Sequence, residues 1–172
     1  MTLRGSFLAT WISGVVAFAI VLIMHLPLVL TEVPGGILDH QAAATGAEVT
    51  RIQEAWIDAG LKNTAARAMM GDLMFITIYG LGTILGGLYF RSVGNGVLRH
   101  LAILILISGA VFIVTDFAET ITQFMQLMAN IGTDEQAQLA STLRPIKMVA
   151  WIVTFAGILA AFAIRRKQKN TG

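Results

Sequence analysis

Cysteine is absent from the sequence. That excludes disulfides, thiolate metal sites, iron–sulfur clusters and cysteine nucleophiles together. Charge is scarce: Asp, Glu, Lys and Arg make up 13% of the chain, against about 25% in ordinary soluble domains. No internal repeat, low-complexity segment or inverted duplication is visible, and the last absence counts against a classical secondary transporter. No H-x-x-x-H or E-x-x-H spacing occurs, so no cofactor is expected and a divalent metal is only a minority reading. Two facing histidines for haem are missing as well, because His25 and His100 belong to opposite membrane faces.

What the sequence has is apolar length. Hydrophobic residues are 56% of 172, and the mean hydropathy is +0.74. A membrane span needs about 20 mostly apolar residues. Four such runs fit: about 7–30, 70–90, 101–128 and 144–164. The first is too long for a signal-peptide core and is read as retained. The expectation is an all-α, integral membrane four-helix bundle, with residues 1–172 forming a single transmembrane domain.

Charge orients the spans. Arg4, Arg91, Arg99, Arg165, Arg166, Lys167 and Lys169 fall on one side, with no acid among them. All ten Asp and Glu residues lie in or toward the other two connections. The positive-inside rule makes the basic side, with both termini, cytoplasmic. It also accounts for the pI near 9.3 without a nucleic acid partner. The expected location is a cell membrane, the inner membrane in a bacterium.

The long first outer connection, 31–69, opens with a Pro34-Gly35 turn. From 46 to 60, Val49, Ile52 and Trp56 recur at helical spacing while Glu48, Arg51, Glu54 and Asp58 take other faces. This predicts a short amphipathic helix that lies in the interface, caps the bundle or simply joins two spans. Residues 129–143 read as a polar loop. Ser141 or Thr142 is placed to cap the fourth span, and Pro145 suits its first turn. Pro27 is placed to kink or end the first span.

Ionisable residues within spans cost about 2.5–3.5 kcal/mol each on insertion scales, so each needs a reason. His25, Asp72, Asp116, Glu119 and Lys147 all fall toward the outer side. Asp116, Glu119, Gln123 and Gln126 share one helical stripe, as do Arg144, Lys147, Trp151 and Thr154. Asp72, Tyr79 and Thr83 share another face. Three such stripes should face inward, around a polar cavity open to the outside and closing near Tyr79 and Thr154. Asp116, Glu119 and His25 are the candidate acid–base residues. Asp72, Tyr79, Gln123, Lys147 and Trp151 are candidate ligand contacts. Two blander readings stand beside these. Asp72 caps a helix N-terminus, and Lys147 with Arg144 only bridges Asp116 and Glu119 structurally. Methionines near the outer ends suit adaptable apolar packing better than copper(I).

Gly82 and Gly86 form a G-x-x-x-G for close helix packing, within the chain or between copies in a homo-oligomer. The leading functional expectation is a pocket that binds, or also modifies, a lipid or apolar small molecule, with membrane lipids as partners. The alternatives are a non-enzymatic accessory or assembly subunit and a proton-coupled transporter. The inner half has too few polar groups to draw a relay for the latter. With His25-Leu26-Pro27 ending one span, Asp72 opening the next and a long first outer connection, the architecture resembles the EXPERA membrane proteins. Those include sterol isomerases and ligand-binding receptors with acidic residues in an intramembrane pocket. The Asp116–Glu119 pair departs from that resemblance, and no activity is carried over from it.

Overall fold

The computed structural model describes residues 2–170, apart from the side chains of 169 and 170, so the tail cation Lys169 lies outside the described side chains. The described chain is helical and contains no strand. Its helices are α1 (Leu3–His25), α2 (Ile37–Ala42), α3 (Gly46–Asp58), α4 (Lys62–Val93), α5 (Gly96–Ala129) and α6 (Asp134–Asn170). Four of them, α1, α4, α5 and α6, are long and apolar enough to cross a membrane.

Thr2 caps α1 by accepting from the Gly5 N–H at 3.2 Å. Pro27 ends α1: the helix stops at His25 and tightens into a 3-10 turn over Leu26–Leu28. Short connections join α4 to α5 and α5 to α6, with Asn130 supplying a left-handed cap at φ 55°. At 32, 34 and 37 residues, the last three long helices run about 48–55 Å at ~1.5 Å per residue. Hydrocarbon is only ~30 Å thick, so each helix stands well proud of it.

That excess length revises the expected helix ends. The fourth span is not preceded by a loop up to 143; α6 begins at Asp134. Ser141 therefore caps nothing, and its hydroxyl donates to the Gln138 carbonyl within the helix at 3.2 Å. Pro145 lies inside α6 rather than in its first turn. Asp72 lies several turns into α4 and is not a cap. Arg144 and Lys147 likewise lie well inside α6.

The long helices pack in series, α1 on α4, α4 on α5 and α5 on α6. Small residues bring α1 and α4 together. A Cβ on Gly14 would meet the Tyr79 Cα at 2.6 Å, and one on Gly82 would meet the Trp11 Cα at 2.7 Å. Gly86 lies against the Phe7 ring. Of the two packings open to the G-x-x-x-G face, Gly82 and Gly86 make the one within the chain, against α1. Between α1 and α6 the bundle closes through rings: Phe7–Phe162, Trp11–Phe155 and Phe18–Trp151, with centroids 5.7, 5.8 and 5.1 Å apart.

A second layer covers the bundle end that carries the long connection. The α3 stripe of Val49, Ile52 and Trp56 is buried against Leu28, Val33, Leu127 and Ala137. The Trp56 indole N–H donates to the Leu28 carbonyl at 2.9 Å, a group freed where α1 ends. Two hydrogen bonds tie α3 to the α5–α6 connection: Gly46 N–H to Asp134 Oδ1 at 2.7 Å and Gly132 N–H to Thr50 Oγ1 at 2.9 Å. Sequence analysis missed α2. Its His40 is buried with the ring 5.2 Å from that of Trp56, and its Nε2 is 3.0 Å from the Gln53 amide. Oriented to suit its neighbours, that amide accepts from His40 and from the Leu127 N–H at 3.2 Å, and donates to the Gln126 carbonyl at 3.1 Å.

His40 makes this layer sensitive to acid. Burial pushes its imidazole down from the ordinary 6.5 to about 4. Below 6.5 the opened chain takes up a proton that the closed one refuses. Stability is therefore full at neutral pH and falls as pH drops from about 6.5 to about 4, by roughly 3 kcal/mol in total. Hydrogen exchange in α2 and α3 should accelerate across that window, and His40→Gln should abolish this part of the pH slope. Equal slopes in the two proteins would reject the assignment.

Candidate ligand site

The ionisable residues expected on the outer side do converge, in two separate groups. His25 ends α1 and Asp72 projects from α4, and their Nε2 and Oδ2 atoms are 3.0 Å apart. The other group joins α5 and α6. Lys147 Nζ donates to Asp116 Oδ1 at 2.8 Å and lies 3.0 Å from Glu119 Oε2. Arg144, expected to share those acids, forms no ion pair with either among the described residues, and its Nε has no hydrogen-bond acceptor. One lysine thus bridges both carboxylates.

The stripe on α5 faces inward as expected. Asp116, Glu119, Gln123 and Gln126 are all buried. Glu119 has no exposed surface, and Gln123 reaches it only across a long 3.5 Å contact. Tyr79 and Thr154 lie deeper and are joined at 3.0 Å. Because the Thr154 hydroxyl donates to the Trp151 carbonyl at 2.8 Å, the Tyr79 O–H is the donor to Thr154.

A cavity of about 270 Å³ lies between the two groups. His25, Asp72, Asp116, Lys147 and Trp151 stand on its wall. Glu119, Gln123 and Tyr79 do not: the first two lie behind the Asp116–Lys147 wall and Tyr79 belongs to the core beneath. Sequence reading missed the rings Phe18, Phe75 and Phe112, which stand on the apolar wall. A signal for them exists. Phe75 follows Asp72 by three residues, Phe112 precedes Asp116 by four and Phe18 precedes His25 by seven, so each shares its partner's helical face. The roof was also missed. It comes from Ile37, Leu38 and Gln41 of α2, so the cavity is covered rather than open at the end of the long connection. A shallower recess of about 450 Å³ between α5 and α6 is lined by Ile107, Val111, Pro145 and Val149, among others, and bears no ionisable group.

Among the described residues, no three His, Asp or Glu side chains are grouped to hold a metal ion. The imidazole and carboxylates that would suit a divalent metal, His25, Asp72, Asp116 and Glu119, fall in two groups, with the Lys147 ammonium between the latter pair.

No protein-family model, curated protein or solved structure matches this chain. The architectural resemblance to EXPERA proteins therefore has no family match beside it, and the reading of the site rests on its geometry.

Proposed function

We propose that this multi-pass membrane protein binds one apolar small molecule or lipid moiety in the cavity between α1, α4, α5 and α6. The observation that carries this reading is the composition of the wall. Aromatic rings supply apolar area, and the His25–Asp72 contact and the Lys147–Asp116 ion pair supply a few convergent polar groups, the usual makeup of small-molecule sites. The volume lies just below the ~300–1,000 Å³ common for drug-sized ligands. That suits a ring system or a single chain and excludes a whole two-chain lipid. The distribution of charge supports an orientation with the basic end and both termini cytoplasmic, which sets the cavity near the outer face.

Purified protein, extracted with organic solvent and examined by mass spectrometry, should yield a stoichiometric apolar molecule. Asp72→Asn should lower its occupancy at least about tenfold, since a hydrogen bond to a charged group contributes roughly 1.5–3 kcal/mol. Thermal stability should stay close to wild type. Unchanged occupancy in both Asp72→Asn and Trp151→Ala would sink the proposal.

Acid–base modification of the ligand is the second reading, and the His25–Asp72 contact on the cavity wall favours it. A carboxylate holding one imidazole nitrogen orients the ring for proton transfer. A bound molecule recovered chemically unchanged from both wild type and His25→Gln would remove this reading and leave binding intact.

A further inference from the structure

We infer that the cavity is loaded sideways from the bilayer, through a gap between α1 and α6 beneath α2, by a molecule without negative charge. This rests on the binding reading above and names the class of ligand and its route. Three walls of the cavity are made by helices that pack closely in series, α1 on α4, α4 on α5 and α5 on α6. The fourth side, between α1 and α6, is bridged at the cavity floor by the Phe18–Trp151 ring contact and below it by further ring pairs. Above that floor, the α1 and α6 residues that line the cavity near its edge are Leu22, Met148 and Ile152, with Leu38 of α2 above them. These four are 52%, 49%, 54% and 54% exposed. All four are apolar, so a molecule dissolved in hydrocarbon meets no desolvation barrier there. On the aqueous side a ligand would have to displace α2, whose His40 is buried behind it and held by Gln53.

The charge restriction follows from the polar wall. Among the described residues lining the cavity, Lys147 is the one Lys or Arg side chain, and it already contacts Asp116 and Glu119. Among the described residues on the cavity wall, no Lys or Arg is left without a carboxylate partner to receive a carboxylate or phosphate, while Asp72 and Asp116 present oxygens that repel one. A neutral headgroup that donates a hydrogen bond, or a cationic one, fits instead.

The absence of cysteine makes the route testable in the full chain. In liposomes, the probes are a nitroxide-labelled stearic acid methyl ester and the matching free acid in the bilayer, and acrylamide in water. The readout is fluorescence quenching of Trp151, isolated as the part of the signal missing from Trp151→Phe. The ester should quench it, saturating with concentration, and the acid and acrylamide should quench it much less. Cross-linking Leu22→Cys to Ile152→Cys should slow the onset roughly tenfold. If the cysteine pair folds poorly, Leu22→Phe/Ile152→Phe narrows the same gap and should slow it likewise. Strong acrylamide quenching, free-acid quenching equal to that of the ester, or an onset unchanged by either variant overturns the inference. Quenching that the cross-link blocks but that never saturates would keep the route and reject the binding site itself.

Discussion

Replacing Lys147 with Met is expected to cost about 3–5 kcal/mol of stability, the usual consequence of leaving a buried charge without its partner. Here two carboxylates lose the same cation: Asp116 at 2.8 Å and Glu119 at 3.0 Å. Glu119 has no exposed surface through which water could compensate. Thermal unfolding in detergent should shift down by on the order of 10 °C. The double change Asp116→Asn/Glu119→Gln, added to Lys147→Met, should restore most of the loss, because buried charge is then absent rather than unpaired. If Lys147→Met melts like wild type, the cluster does not hold α5 against α6. If the triple variant is no better than the single, something other than charge compensation makes Lys147 necessary.

Truncating Trp56 to Ala should cost about 3–5 kcal/mol as well, through the cavity it leaves. The damage should be local. Trp56 is fully buried, joins α3 to the end of α1 through the Leu28 carbonyl, and lies against the His40 ring. Loss of it releases α2 and α3 together, while the packing of α1 on α4 below is untouched. Hydrogen exchange should rise across 37–58 and stay low in the middle of α4 and α5. Trp56→Phe keeps an aromatic ring but leaves the Leu28 carbonyl without its donor, and should cost about 1–3 kcal/mol. Uniform acceleration through all six helices would show that the layer and the bundle open as one unit.

The four long helices and the inward stripes were readable in the sequence because burial in lipid imposes a strong compositional signature. Asp116, Glu119, Gln123 and Gln126 share a face by spacing alone, and that face is buried. The ends of the helices were harder to read. Hydropathy reports the part that suits lipid, whereas α4, α5 and α6 continue as polar helix beyond it. That mismatch turned Asp72 into a supposed cap and residues 134–143 into a supposed loop. The His25–Asp72 contact depends on helices far apart in sequence, which no local pattern specifies. α2 escaped because six residues give too little periodicity to register. The choice of Lys147 over Arg144 as the bridge is a matter of rotation about α6, finer than spacing resolves.

The contact between His25 and Asp72 spans 47 residues, and that interval has a meaning in time. Chains grow at ~5–20 residues per second. The first helix therefore leaves the ribosome about 2–9 s before its partner carboxylate exists. Throughout that delay the Gly14 notch and the imidazole at the end of α1 lack the α4 surface they pack against. The later helices follow their neighbours after short connections, and the Asp116–Lys147 contact spans 31 residues. Synthesis thus leaves the first helix as the exposed step in assembly, and a ribosome pause between Leu61 and Asp72 would lengthen the interval in which it can be lost.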